Sequence, residues 1–372
     1  MKSVLVTGSE GFIGKNLLQA LRRLTDLTIH GFELNDSITT LEAYLADADV
    51  VFHLAGVNRP EKQEEFNTVN VGLTVRIVKQ LLEGNNRPVL VLSSSIQAEK
   101  DNPYGRSKLE AEQAIGEYAK CDGRGIIYRL PNVFGKWSRP NYNSAVATFC
   151  HNIARDLPIE VSGSDRLVEL AYVDDVVKEF TSVLKDTESK GLEKREVRPV
   201  YKAKLGDLVK EIQGFKEIRT SLSLPDLDDP FRKALFATYS SFLPDTRLNY
   251  SLTKKSDDRG SLAELLKSPH FGQIFVSRTK PGITRGNHWH DSKVEKFCVV
   301  EGEAVIRFRH IDKDEVISYP VRGDEFQVID IPPGYTHSIE NVGKTELVVL
   351  FWSSEVFSEK QPDTHALPVS NK

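Results

Sequence analysis

Tyr104 and Lys108 stand four residues apart in Pro103-Tyr104-Gly105-Arg106-Ser107-Lys108. Where that stretch opens a helix, the phenol and the amine share one face. An ammonium beside a phenol favours the phenolate and lowers its pKa, which would make Tyr104 a proton donor and acceptor. Just upstream, Ser93-Ser94-Ser95 ends an apolar run and offers a hydroxyl to hold a carbonyl or alcohol oxygen. A second group lies far downstream: His288, His290, Glu295 and His337, flanked by Gly282, Gly302, Pro332 and Gly334. His288 and His290, two apart on a strand, point to one face, and Glu295 and His337 are expected on neighbouring strands. Three imidazoles and a carboxylate suit zinc, with iron, nickel or manganese as alternatives. The competing reading is a metal-free sugar-binding barrel whose histidines only pack or hydrogen-bond.

A third feature opens the chain. The apolar run Ser3–Thr7 leads into Gly8, Gly11 and Gly14. Gly8 permits a tight turn out of the strand, Gly11 lets the backbone approach a pyrophosphate, and Gly14 packs a helix against the sheet. The helix N-terminus then supplies unpaired N–H groups. Such a loop alone is weak evidence, but its place between a strand and a helix strengthens it. Glu33, about 20 residues past the loop, occupies the place of an acid that accepts a ribose 2′-hydroxyl, which argues for NAD.

The elements that must position these residues fall into two textures. Asp49–Leu54 and Val89–Leu92 read as buried parallel strands, with helical spacing over Gly14–Leu24, near Leu41–Leu45 and over Val71–Leu82. This alternation predicts an α/β domain with a doubly wound parallel sheet of Rossmann type. Lys185–Glu196 is charged and reads as exposed, Leu205–Ile212 as a short helix, and Asp229-Pro230 as the cap and first turn of a helix reaching about Phe242. After Leu243-Pro244 the runs Gln273–Ser277, Phe297–Val300, Ala304–Phe308, Phe326–Ile331 and Leu347–Phe351 predict a small all-β domain, a barrel or jelly roll. The boundaries are placed at residues 1–244 and 245–372.

Composition agrees with this division. At 372 residues the chain exceeds the usual single core. A net charge of −4 gives no global attraction for nucleic acid or an anionic membrane. Three scattered cysteines match no disulfide framework, and no apolar run approaches the roughly 20 residues of a membrane span. The expectation is a soluble cytoplasmic protein with no nucleic-acid or membrane partner.

The spacing Gly8-x-x-Gly11-x-x-Gly14, with Tyr104, Lys108 and the serine run, resembles the short-chain dehydrogenase/reductase superfamily. The resemblance implies a nicotinamide site lined by Gly8, Gly11, Phe12, Ile13 and Gly14, with Lys108 also holding the ribose. It favours Ser95 as the catalytic hydroxyl, with Ser94 close behind. Further phrases resemble the extended branch that acts on nucleotide sugars. Leu54, Ala55 and Gly56 look like its strand-end segment at the cofactor, and Asn70 like its helix asparagine. Asn132 in Arg129–Gly135 would face the sugar diphosphate. Arg166, in Gly163-Ser164-Asp165-Arg166, would pair with a phosphate.

The downstream half is similar to the cupins. Gly282-x5-His288-x-His290-x4-Glu295-x6-Gly302 fits their first motif, and Pro332-x-Gly334-x2-His337-x3-Asn341 most of their second, with Phe326 where a leading glycine would stand. Asp258-Arg259-Gly260-Ser261 also resembles sugar-nucleotide 3,5-epimerases. As a whole, through HLAGVNRP, LSSSIQ, DNPYGRSK, GKWSRPNYNS and GNHWH, the chain resembles the capsular-polysaccharide family of UDP-2-acetamido-2,6-β-L-arabino-hexul-4-ose reductases. That resemblance implies zinc in the cupin, epimerisation there at carbon 3 of a UDP-linked amino-sugar ketone, reduction of carbon 4 with NADPH, and a homodimer. NADPH stands against Glu33 unless that side chain points away. No cupin base is assigned; Tyr335 and His310 are the candidates. The alternatives are a reductase whose cupin only docks sugar or dimerises, and a nucleotide-responsive regulator without catalysis.

Overall fold

The computed structural model describes residues 1–60, 62, 64–186, 190–360 and 362–370. The chain forms two compact units, 1–213 with 233–244 and 214–232 with 245–372. The single division expected after residue 244 is thus interrupted by an earlier segment. Residues 214–232 join the second unit through its backbone: Leu224 N donates to Lys267 O and Lys267 N to Leu222 O, both at 2.8 Å.

The first unit carries strands β1 (Lys2–Thr7), β2 (Leu27–Phe32), β3 (Val50–His53), β4 (Val89–Ser95), β5 (Arg124–Leu130), β6 (Asn132–Phe134), β7 (Leu167–Tyr172), β8 (Gly191–Arg195) and β9 (Tyr201–Lys204). Its helices include α1 (Phe12–Leu21), α2 (Ile38–Asp47), α3 (Leu73–Glu83), α4 (Pro103–Lys120), α5 (Ala145–Ala154) and α6 (Val173–Ser182). Six strands form one parallel sheet in the order β2-β1-β3-β4-β5-β8. Successive side chains go to opposite faces: Val4 and Val6 enter one core with Leu17 and Phe180, and Leu5 enters the other with Leu41 and Ile77. With both faces covered, central strands must be apolar throughout, which is why they are legible as short runs. Thr7, His53 and Ser95 end β1, β3 and β4, so polar chemistry collects at the carboxyl edge of the sheet.

The charged stretch 185–196 has no buried residue among those described, but it is not a plain loop. Residues 187–189 lie outside the described residues, but Gly191–Arg195 forms β8, parallel to β5 at the sheet edge. Its side chains join an ion network: Glu193 accepts from Arg124 at 2.8 Å, and Arg195 meets Asp186 at 2.7 Å. An edge strand paired on one side tolerates such charges. The short helix expected over 205–212 runs on as α7 (Leu205–Ser221), and α8 (Pro230–Ser241) begins where Asp229 Oδ1 accepts from Phe231 N at 2.9 Å.

The second unit holds β10 (Lys254–Asp257), β11 (Gly260–Ser268), β12 (Gly272–Thr279), β13 (Thr284–Trp289), β14 (Glu295–Glu301), β15 (Glu303–His310), β16 (Val316–Arg322), β17 (Val328–Ile331), β18 (Tyr335–Asn341), β19 (Leu347–Ser353) and β20 (His365–Ala366). They build two antiparallel sheets, β10-β11-β12-β19-β14-β17 and β16-β15-β18-β13-β20. Phe297 and Phe351 of one sheet share a core with Ile306, Phe308 and Ile339 of the other. Strands β11, β13, β16 and β18 had no apolar run to announce them. β13 and β18 face inward with Arg285, His288 and His337, functional types that break the alternation.

Phe326, where the motif has glycine, keeps the backbone that glycine would take, with φ +48°, and leaves its ring two-thirds exposed. A side chain in the left-handed region costs about 1–2 kcal/mol, part of which glycine's greater chain entropy offsets. Phe326→Gly should therefore raise stability by about 0.5–1 kcal/mol, seen as a higher urea midpoint. A lower midpoint would show that the ring has an unrecognised packing role.

Candidate functional site

The first unit contains a cleft of about 820 Å³ at the carboxyl edge of its sheet. One wall is the turn from β1 into α1, where Gly8, Gly11, Phe12, Ile13 and Gly14 all line the cleft. A side chain at Gly14 would stand 2.0 Å from Gly8 O, so only glycine lets α1 begin this close to the loop. The amides at the start of α1 can hold a dinucleotide pyrophosphate, and the residues present fit that group. Leu54 and Gly56, beyond β3, line the same cleft, while Ala55 braces it by donating N–H to Thr7 Oγ1 at 3.3 Å.

Glu33 does not point away. Its carboxylate accepts from Ser9 Oγ at 2.8 Å and from Glu10 N at 2.5 Å, against the tip of the glycine loop. The segment 31–45 carries no lysine or arginine to receive a 2′-phosphate.

Helix α4 brings Tyr104 and Lys108 to the cleft. Asn102 caps it, accepting from Gly105 N at 2.8 Å, and Pro103 occupies the first turn. A Cβ at Gly105 would lie 2.2 Å from Gln97 O and 2.4 Å from Lys100 O. Glycine there lets the helix press against the short turn after Ser95, and Tyr104 and Ser95 both line the cleft. Lys108, one turn on, is buried and donates to Ser93 O at 3.1 Å, with its amine 5.9 Å from the centre of the Tyr104 ring. Burial lowers its pKa to about 8 against the opposing charge of Glu112.

The expected drop in the tyrosine pKa does not appear. Burial raises the Tyr104 pKa, the Ser95 hydroxyl opposes that rise, and the nearby Tyr142 phenol adds to it. Lys108 reaches toward the Ser93 carbonyl rather than the phenol oxygen, so desolvation prevails. Ser94 is committed elsewhere: it donates to Glu112 Oε1 at 2.5 Å. Glu112 also takes a bidentate grip from Arg129 at 2.8 and 2.7 Å. Burial pushes the Glu112 pKa up, but Arg129 and Ser94 outweigh it and hold the carboxylate low.

Asn132 and Arg166 line the cleft as expected of substrate contacts, with Asn132 Nδ2 donating to Glu169 O at 3.1 Å. Asn70 does not. It is buried, accepts from Val57 N at 2.8 Å, and donates to Val57 O and Ser107 Oγ at 2.9 and 3.0 Å. Its amide is saturated, and it braces the cleft instead of facing it. Sequence reasoning assigned nothing to Trp137, Arg139 and Tyr142, which also line the cleft. Their phrase, GKWSRPNYNS, carried the family resemblance, but no periodicity located them.

In the second unit, His288, His290, Glu295 and His337 bring their ligand atoms within 4.8 Å of one another. His288 faces His337 across β13 and β18, after a bulge at Asn287, whose φ is +60°. Glu295 begins β14 in the other sheet, so the four residues bridge the two sheets rather than sharing neighbouring strands. His290 Nδ1 lies 2.5 Å from Asp363 O, which can only accept, so Nδ1 carries the proton and Nε2 is a bare lone pair. Buried Nε2 atoms of His290 and His337 stand 3.3 and 3.5 Å from Glu295 Oε2 yet make no hydrogen bond. Orphaned imidazole lone pairs converging on a carboxylate fit a divalent cation. Burial and the neighbouring imidazoles lower the His288 pKa to about 4. Tyr335 shares the inward face of β18 with His337 and packs edge-on to His310 at 5.1 Å, while His310 Nδ1 accepts from Asp312 N.

Residues 4–195 match the NAD dependent epimerase/dehydratase family, and residues 255–365 match the polysaccharide biosynthesis C-terminal domain. The UDP-2-acetamido-2,6-beta-L-arabino-hexul-4-ose reductase of Pseudomonas aeruginosa is 42% identical over 369 residues, covering 98% of each chain. The crystal structure of the capsular polysaccharide assembling protein CapF from Staphylococcus aureus aligns with a TM-score of 0.91 at 47% identity, over 98% of this chain and 100% of that one. A CapF structure with the inhibitor 3-isopropenyl-tropolone aligns at 0.86 and 42% identity, over 99% and 100%.

The buried amine of Lys108 makes a pH-dependent demand on the fold. Its folded pKa, about 8, lies below the unfolded value, so the folded chain binds fewer protons between the two. The resulting instability is full below about pH 8 and relieved as pH rises past the unfolded pKa, about 10.4. In the cofactor-free chain, Lys108→Met should be more stable at pH 7, by at most roughly 3 kcal/mol. That gain should shrink through this window in urea titrations. A gain independent of pH would mean that Lys108 is not buried as an ammonium.

Proposed function

The chain belongs to the NAD dependent epimerase/dehydratase family, in the group that includes CapF, and from that premise we propose a two-step nucleotide-sugar enzyme. Its first unit reduces a ketone on a UDP-linked sugar during polysaccharide biosynthesis. Ser95 and Tyr104, lining one cleft with the glycine loop, carry this reading. A bound nicotinamide cofactor supplies the hydride. Ser95 holds the carbonyl oxygen, and Tyr104, kept protonated by its raised pKa, gives it a proton as negative charge develops there. Lys108 holds a ribose hydroxyl, and Asn132 and Arg166 receive the sugar diphosphate.

The second unit is proposed as a cupin-type domain that inverts carbon 3 of the same sugar before reduction. A hydrogen next to a carbon-4 ketone is acidic, and a divalent metal such as zinc supplies Lewis acidity when bound. His288, His290, Glu295 and His337 would hold it, with the Asp363 carbonyl fixing the His290 ring. Tyr335, inward beside His337, is the favoured residue for moving the proton. The substrate is then UDP-2-acetamido-2,6-dideoxy-4-keto-hexose, and the product UDP-2-acetamido-2,6-dideoxy-L-talose, on the route to UDP-N-acetyl-L-fucosamine. The family resemblance supports a homodimer. Among the described residues, no helix is long and apolar enough to cross a membrane.

Two experiments test this function. In deuterated water without reduced cofactor, the keto-sugar should gain deuterium at carbon 3. His290→Ala or chelation should suppress that exchange, and Tyr104→Phe should leave it intact while slowing cofactor oxidation by roughly 10²–10⁴-fold. Exchange that follows Tyr104 and ignores the histidines reduces the second unit to a docking module. The second experiment concerns the cofactor. Glu33, held at the glycine loop with no cation nearby in sequence, favours a free 2′-hydroxyl over a 2′-phosphate. The proposal is therefore NADH over the NADPH that the resemblance implied. kcat/KM should be higher with NADH, and Glu33→Gln should narrow the gap; a wild-type preference for NADPH sinks the assignment.

A further inference from the structure

The loop joining β6 to α5, residues 135–144, forms a part of the cleft wall to which the proposed function gives no task. It is pinned along its length. Ser138 Oγ donates to Gly135 O at 2.7 Å, Asn141 N donates to Thr148 Oγ1 at 2.9 Å, and Ser144 Oγ caps α5 by accepting from Ala147 N at 3.2 Å. Trp137 and Asn141 take φ values of +68° and +55°, which residues with side chains adopt rarely. A loop held this way presents its side chains at fixed places.

Two of those side chains are stacked. The Arg139 guanidinium carbon lies 4.9 Å from the centre of the Tyr142 ring, and both residues line the cleft. The stack occupies the flat face of the guanidinium and leaves its N–H edge available. Among the described residues, Arg139 has no ion pair and no side-chain hydrogen bond, and the same holds for Arg166. The cleft is otherwise lined by Lys15, Lys100 and Lys108 against a single carboxylate, Glu10. A planar fork of donors without an acid partner, in a cationic cleft, suits a phosphate. The glycine loop and the start of α1 already provide amides for one pyrophosphate. A cleft that holds a dinucleotide and a sugar nucleotide together needs donors for a second. The Tyr142 phenol is also near enough to Tyr104 to influence its ionisation, so the stack reaches the reacting centre.

We propose that the Arg139–Tyr142 stack binds a phosphate of the incoming sugar nucleotide and so sets its sugar before Ser95 and Tyr104. The inference rests on the proposed function in taking a nucleoside-diphosphate sugar as substrate. Tyr142 keeps the guanidinium in plane and Arg139 makes the contact.

The probe is uridine diphosphate, titrated calorimetrically into the full-length chain; the reduced nicotinamide cofactor, the other source of a pyrophosphate, is titrated in a second arm. Arg139→Ala should weaken uridine diphosphate binding about 10- to 100-fold, the worth of one charge-assisted hydrogen bond or a pair. It should leave cofactor affinity unchanged. Tyr142→Phe should keep wild-type affinity, because the ring remains, and Tyr142→Ala should lose about two- to fivefold. Arg139 is exposed and Tyr142 only half-buried, so neither variant threatens the fold. Any site elsewhere on the chain is common to all variants and cancels between isotherms. Equal uridine diphosphate affinity in wild type and Arg139→Ala overturns the inference and leaves the proposed function standing. A loss seen only in the cofactor arm overturns it too, assigning Arg139 to the cofactor. A wild-type chain that binds no uridine diphosphate overturns both together.

Discussion

Buried polar side chains at the carboxyl ends of the central strands must all find partners, and that requirement shapes the cleft. Thr74 Oγ1 gives its proton to Asn70 O at 2.7 Å, so it can only accept from His53 Nε2 at 2.8 Å. His53 therefore carries its proton on Nε2, and Nδ1 accepts from Thr7 Oγ1 at 2.7 Å. Thr7 Oγ1 in turn accepts from Ala55 N. From Asn70 the connection continues through Ser107 Oγ, which donates to the Tyr104 carbonyl at 2.8 Å. One chain of hydrogen bonds thus ties the end of β1 to the helix that carries Tyr104 and Lys108. Burial, aided by the charge of Lys108, lowers the His53 pKa to about 3, so the chain keeps one direction across the working pH range.

The same logic explains the cost and placement of Lys108. An ammonium out of water is unfavourable, and the fold offsets this with Glu112, one turn further along the same face of α4. Glu112 stays ionised because Arg129 and Ser94 hold it, and Arg129 extends β5 into the network, with a further contact to Glu99 at 2.7 Å. One carboxylate thereby locks β4, β5 and α4 together and supports the amine at the centre of the site. The raised Tyr104 pKa belongs to this arrangement. A phenol that keeps its proton at rest suits the donor role proposed for Tyr104.

In the second unit the balance is left open. His290 and His337 turn bare lone pairs toward Glu295, with no proton to satisfy any of them. The Asp363 carboxylate fixes the neighbouring turn, accepting from the N–H groups of Asp291, Ser292 and Lys293 at 2.7 to 2.9 Å, while its carbonyl orients His290. Where the first unit ties its buried polar groups into one hydrogen-bonded chain, the second builds a fixed surround for unpartnered acceptors whose donor set fits a divalent cation.

Much of this was legible in the residues themselves. Gly8, Gly11 and Gly14, the Tyr104–Lys108 spacing and the four ligands each depend on local geometry, which residue type and separation dictate. The parallel strands were legible because burial on both faces leaves them uniformly apolar, whereas β8, β13 and β18 were hidden by charged or ligating side chains. Tertiary packing alone distinguished Ser94 from Ser95, by engaging Ser94 with Glu112. It also turned Glu33 onto the glycine loop, enclosed Asn70, and drew Glu295 from the opposite sheet. Packing likewise reversed the expected pKa shift of Tyr104. Residue spacing shows that a lysine is near a tyrosine, but only the folded chain sets how much water each loses and which carbonyl the amine reaches.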